Sequence, residues 1–205
     1  HWVFMSSAAI VHEAQLSRAA QVVRDVMGDH RPNIWLSDGY SAQQGHGHHH
    51  QTCLAHLARD VAFALEASDD MIPFRLKLWL DKVFALARNI TSFAASTLKA
   101  KKRALENTLA DILMTSSECA IAEAVRAKLA RASPRLLTFL DYPDEVDITN
   151  NGCERALRPA VIQRKVTNGF RSMWAAKGDC AVRTVVDTQK LNGNSPFQTI
   201  LATIT

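Results

Sequence analysis

An apolar, aromatic run opens the chain, His1 to Met5 (HWVFM); Ser6-Ser7 interrupts it and Ala8 to Glu13 (AAIVHE) resumes it. Two short β-branched and aromatic stretches about a serine break predict two strands joined by a turn. Ser17 offers an N-cap for a helix on Ala20, Val23 and Val26 that ends near Gly28. Arg31-Pro32 punctuates the chain, and Asn33 to Ser37 (NIWLS) predicts a short buried strand with Asp38-Gly39-Tyr40 at its C-terminal end. The order strand, strand, helix, strand belongs to an α/β sheet, in which ligand sites lie beyond strand ends.

Ser41 to Thr52 is polar and contains glycine, and so reads as a loop. From Leu54 the period changes: Leu54, Leu57, Val61 and Leu65 fall three to four apart, as one face of a helix requires. Further helical runs are predicted at 74–88, 97–114 and 121–129, with Pro73 and Pro134 as breaks. No strand pattern interrupts 54–140, which makes an all-helical block inside an α/β chain. Asp141 to Asp147 is an acidic turn around Pro143, and Thr149, Asn150 and Asn151 supply N-cap chemistry for a helix bearing Glu154, Arg155 and Arg158 ahead of Pro159. Arg164 to Arg171 (RKVTNGFR) reads as a loop or irregular strand. A helix from about Ala175 to Leu191 and a last one from Ser195-Pro196 complete the pattern.

Charge changes this picture. The 24 basic and 20 acidic residues leave a net +4, and all of it resides in 147–205, where 8 basic groups face 4 acidic ones. Arg155, Arg158, Arg164, Lys165, Arg171 and Lys177 surround the single acid Glu154, the footprint of a polyanion binder or of a solvated helix face. Lys99, Lys101, Lys102 and Arg103 form a second basic run, read as a solvated helix face ahead of a nucleic-acid contact. No apolar run approaches the ~18 residues of a membrane span. Four scattered cysteines give no paired framework and point to a reducing compartment. The chain opens on His1 without a signal-peptide pattern, and reads as an excerpt whose beginning lies upstream.

Candidate chemistry starts with Asp38, a carboxylate at a strand terminus suited to a divalent cation, though Asp-Gly is equally a turn dipeptide. Glu154 lies in the first turn of a helix, where simple dipole electrostatics would also place an acid. Its basic company is what a metal-binding group set against phosphates would have, and hard oxygen donors select Mg²⁺ or Mn²⁺. Cys53 and His56 form C-x2-H, half of a zinc site that would need two further ligands. His46, His48, His49 and His50 form a loop run with no imposed geometry. Trp35, Trp79 and Trp174 are of a type that stacks on bases; Trp35, inside a strand, reads as core, and Trp174 in the basic tail is the one to test. Cys119, Cys153 and Cys180 read as small packing residues.

The strings WLSDGY (35–40), CLAHLARD (53–60), DITNNGCERALRP (147–159), RKVTNGF (164–170) and KLNGNSPFQTIL (190–201) resemble the transposases of the insertion sequence 66 family. The most specific is N-N-x-x-E-R-x-x-R-P, here Asn150, Asn151, Glu154, Arg155, Arg158 and Pro159. The resemblance implies a ribonuclease-H-like α/β core with three acids and a helical insertion between the second and third. Asp38 matches the second acid and Glu154, 116 positions later, the third. The first acid, borne on the first strand of such a core, has no counterpart, so the core is incomplete at its N-terminal strand. The implied divisions are 1–53, the helical insertion 54–140, and 141–205 with the Glu helix and basic tail.

The implied activity is metal-dependent cleavage and joining of phosphodiester bonds at transposon ends, with Mg²⁺ or Mn²⁺ held by Asp38 and Glu154. By the same likeness His56 touches substrate phosphate or orders the site, and Arg155, Arg158, Arg164, Lys165 and Arg171 hold DNA phosphates. The implied setting is bacterial and cytoplasmic, on nucleoid DNA and away from membranes, and the reaction class implies a homo-oligomer holding two DNA ends. Two alternatives accompany this reading: a truncated or decayed transposase that binds DNA without chemistry, and a zinc protein built on Cys53, His56 and the loop histidines.

Overall fold

The computed structural model describes residues 1–204. Their elements are mostly helical with two small sheets: β1 (Trp2–Met5), β2 (Ile10–Glu13), α1 (Ala20–Met27), β3 (Ile34–Ser37), β4 (His49–Thr52), α2 (Leu54–Ala67), α3 (Met71–Arg88), α4 (Ala95–Leu113), α5 (Ala120–Ala132), α6 (Asn151–Thr167), α7 (Met173–Leu191) and α8 (Pro196–Ile204). The architecture is therefore mixed α/β. Its strands form two separate ladders, β1 with β2 and β3 with β4. The chain divides into two compact units, one built from His1–Val22 and the chain from Asn151 onward, the other from Val23–Asn150.

In the first unit β1 and β2 form an antiparallel hairpin, from Trp2 opposite Glu13 to Met5 opposite Ile10. α7 covers the other side of β2 through side chains one helical turn apart. Thr188 Oγ1 accepts from Ile10 N and donates to Ile10 O, both at 3.0 Å, while Thr184 Oγ1 accepts from His12 N at 2.9 Å. His12 is buried, and its Nε2 lies 2.9 Å from Asp187 Oδ2. α6 packs on β1 at Gly152, where a Cβ would come within 2.8 Å of Met5 Sδ. Arg183 ties α7 to α6, its Nη2 donating to Gln163 Oε1 at 2.7 Å.

Two sequence expectations are corrected here. α6 does not stop before Pro159 but continues to Thr167. Pro159 is exposed, so water can take the carbonyl its missing N–H leaves bare. Arg164 to Thr167 is accordingly the last turn of a helix rather than a loop, and Asn168 (φ 59°) and Gly169 (φ 91°) end it in left-handed backbone. Ser172 then caps α7 by accepting from Ala175 N.

In the second unit β3 and β4 pair in parallel, from Ile34 beside His49 to Ser37 beside Thr52. β4 is the third correction, since the stretch read as loop ends in a strand. Its sequence, HHQT, has no apolar alternation, and what holds it is non-local. Gln51, fully buried, donates from Nε2 to Thr52 O (2.8 Å) and Leu136 O (3.0 Å) and accepts at Oε1 from Phe139 N (2.9 Å). These bonds fasten the strand to the segment that follows the helices. From 54 to 140 no strand occurs. Leu57 and Val61 of α2, Leu76, Trp79 and Val83 of α3, Leu105 and Leu109 of α4 and Leu129 of α5 form one core. Pro73 starts α3 rather than breaking it, in the first turn where no amide partner is required. Among the described residues no helix is long and apolar enough to cross a membrane.

Candidate active site

Parallel pairing puts the C-terminal ends of β3 and β4 at one edge of their ladder, and the chemistry-bearing residues of the second unit collect there. Asp38 follows Ser37 directly. It is half-buried, and its Oδ1 accepts from Tyr40 N at 3.0 Å, an Asx turn that turns the chain away from the sheet. The Asp38 carbonyl accepts from Ser37 Oγ at 3.0 Å and Gln44 Nε2 at 3.2 Å. The turn and ligand readings of Asp-Gly thus coexist, since one carboxylate oxygen makes the turn and Oδ2 remains.

Cys53 occupies the matching place after β4 and begins α2. Its N–H donates to Ser37 O at 2.8 Å, which locks the two strand ends together. The buried Cys53 Sγ lies 3.3 Å from His56 Nδ1 and accepts from Asn150 N at 3.3 Å. Leu54 N donates to Ile148 O at 2.9 Å, so the approach to α6 is stitched to the start of α2. The C-x2-H spacing therefore places His56 one turn along α2, with the cysteine orienting its ring. Asn150 is the residue whose part was missed: its backbone amide is engaged at Cys53, while the side-chain Oδ1 expected to cap α6 is buried without a hydrogen-bond partner.

Glu154 belongs to the other unit. It lies in the first turn of α6, half-buried, with its Oε1 among the buried atoms. The neighbouring Cys153 thiol is pushed up by burial and further by the Glu154 charge, so it stays protonated at neutral pH. Arg155, Arg158, Pro159, Ile162, Gln163, Val166 and Thr167 recur at helical spacing and line a shallow groove of about 510 Å³ along α6. Arg164 and Lys165 occupy its last turn, where cations also favour the helix dipole, and Arg171 follows the Gly169 turn. All five of these cations are exposed, and none makes an ion pair with a carboxylate among the described residues.

The family model for Transposase IS66 family matches residues 1–178, from β1 into α7. The chain belongs to the IS66 transposase family. Its members are transposases of insertion sequences and act on DNA. No curated protein and no solved structure is similar enough to match this IS66-family chain.

The remaining sequence candidates lie elsewhere in the molecule. Among the described residues no three His, Cys, Asp or Glu side chains cluster as a metal would require. Three of the four histidines at 46–50 are engaged separately. His46 Nε2 lies 2.9 Å from Ala42 O, the His49 ring tilts against Tyr142, and His50 Nε2 lies 3.2 Å from Ser37 Oγ. All four cysteines are free thiols. Cys180 is pushed up to about 11, first by burial and then by Asp179. Trp79 is core, donating from Nε1 to Leu105 O at 2.9 Å, whereas Trp174 is 81% exposed.

Proposed function

We propose that this chain is the catalytic region of a transposase of the three-acid type, which cleaves phosphodiester bonds at transposon ends and joins the freed strands to target DNA. The observation that carries the reading is Asp38. It is a half-exposed carboxylate set by an Asx turn at the C-terminal edge of a parallel strand pair, next to the strand end where Cys53 holds the His56 ring, in a chain of this family. In this reading the two ladders are parts of a ribonuclease-H-like core, into which 54–140 is inserted. Asp38 and Glu154 hold Mg²⁺ or Mn²⁺. Their donor chemistry suits such ions, since both offer hard carboxylate oxygen and Asp38 keeps Oδ2 outside its turn bond.

A bound divalent ion would supply an activated hydroxyl and neutralise charge on the leaving oxygen. The chain's own residues do the rest. His56, with its ring held at Cys53, orders substrate phosphate beside Asp38. The exposed Arg155, Arg158, Arg164, Lys165 and Arg171 hold backbone phosphates with little regard to sequence. The reaction class requires two ends held together, hence a homo-oligomer on DNA, at work on the bacterial nucleoid in the cytoplasm.

The test is cleavage and joining of transposon-end DNA by the full-length reading frame in Mg²⁺. Asp38→Asn and Glu154→Gln should each lower the rate on the order of 10²–10³-fold, the several kcal/mol that metal stabilisation contributes, while DNA affinity stays within a few-fold. Full activity in either variant removes that residue from the mechanism. If the unaltered protein binds ends but never cleaves them, the DNA-binding remnant is the correct reading.

A further inference from the structure

Two features of the sequence stand outside the site just described, the histidines at 46–50 and the basic run at 99–103. The fold brings members of both to one place. A polar cleft of about 450 Å³ lies within the 23–150 unit, with Arg31, His48, His49, Lys102, Arg135 and Asp141 on its walls. Lys102 and Asp141 neutralise each other at 2.5 Å. The two arginines are held differently, by neutral oxygens. Arg31 Nη2 donates to the Gly47 carbonyl at 3.0 Å. Arg135 donates from Nη1 to Gln44 Oε1 and from Nη2 to the Arg131 carbonyl at 3.2 Å. Neither forms an ion pair with a carboxylate among the described residues.

The cleft thus keeps two positive charges whose guanidinium planes are oriented by carbonyls yet not neutralised, the arrangement suited to forked hydrogen bonding of an oxyanion. His50 also lines it, and its buried Nδ1 makes no hydrogen bond. Burial and the adjacent Arg135 hold that ring neutral, down to about 4, so it adds a polar contact without further charge. Arg31, His48 and His49 are exposed, so a ligand as bulky as a duplex can reach the mouth.

We propose that Arg31 and Arg135 bind a backbone phosphodiester of DNA in this cleft, an anchoring point additional to the cations of α6. The choice of DNA over other phosphates rests on the reading that the chain acts on DNA. The experiment is binding of the full chain to a fluorescein-labelled duplex of arbitrary sequence, followed by anisotropy across a salt series. Each lost phosphate contact makes log Kobs against log salt shallower by about 0.9, so Arg31→Gln with Arg135→Gln should flatten the slope by about 1.8. Arg155→Gln with Arg158→Gln is the comparison.

A wild-type slope in the cleft variant with a flattened one in the α6 variant overturns this inference and leaves the proposed function standing. The reverse result overturns the α6 assignment and upholds the cleft. Should the cleft variants unfold, the unaltered protein decides through arginine modification by phenylglyoxal, mapped by mass spectrometry. Duplex should protect Arg31 and Arg135, and inorganic phosphate at equal phosphate concentration should not. Absence of protection, or equal protection by inorganic phosphate, overturns the proposal.

Discussion

Replacing Gln51 by Met isolates one buried polar residue that joins β4 to the chain returning from the helical block. Methionine keeps nearly the same volume and an unbranched shape, so packing changes little. The three hydrogen bonds vanish. Phe139 N–H is left buried without an acceptor at about 1–3 kcal/mol, and the carbonyls of Thr52 and Leu136 each lose a donor at roughly 0.5–1 kcal/mol. The sum runs from about 2 to 5 kcal/mol and centres near 3.5 kcal/mol. In a chain of this length that lowers Tm by about 7–14 °C. Thermal and urea unfolding followed by circular dichroism measure both quantities.

Gln51→Glu adds a sign. Its carboxyl would face two carbonyls, so its folded pKa lies above the unfolded value near 4.3. Stability is then greatest below that value and is lost as pH rises through the folded pKa, making the variant weaker at pH 8 than at pH 4 relative to the unaltered protein. A Gln51→Met protein within 0.5 kcal/mol of the original would refute the reasoning, because the strand would then be held by something other than these bonds.

Further outcomes follow from individual contacts. A Cβ on Gly47 would lie 2.8 Å from His49 O and 2.8 Å from Trp35 Cβ, so Gly47→Ala should destabilise by about 1–3 kcal/mol in urea unfolding. Gly152→Ala meets only the Met5 side chain, itself 43% exposed and able to swing aside, and should stay within about 0.5 kcal/mol. Glu123 is held down at about 2, chiefly by its hydrogen bonds from Arg126 and further by Ser117 N. Its stabilising effect is present above the unfolded value of 4.5 and lost as pH falls from there through about 2. Glu123→Gln should therefore flatten the urea midpoint across that window, and an unchanged pH profile would contradict it.

The helical block was legible because its information is local. Leu57, Val61, Leu76 and Val83 carry the period, and each is buried where that period places it. The hairpin announced itself in the same way, through the apolar run at 2–5 and the β-branched pair Ile10 and Val11. β4 did not, since His49, His50, Gln51 and Thr52 are all polar. The strand exists through pairing with Ile34–Ser37 and through residues some 85 positions later, which no window along the chain can register. The reach of α6 past Pro159 was hidden too, because the proline signal is strong and the exposure that tolerates it is tertiary. Asp38, Cys53, His56, Glu154 and the five cations stood out as candidates through residue type and motif spacing. The engagement of the Asn150 amide by a thiol and the convergence of Arg31 with Arg135 leave no local trace.

The threonines of α7 have a consequence for how this molecule can associate. Strand edges invite further strands because their amides and carbonyls point outward in search of partners. Along β2 the outward groups of Ile10 and the outward amide of His12 are already satisfied by hydroxyls from a helix, whose bulk also bars approach. The hairpin is therefore a ladder closed on one flank. Any lateral extension of it, by this polypeptide or by a neighbouring copy, has to proceed alongside β1.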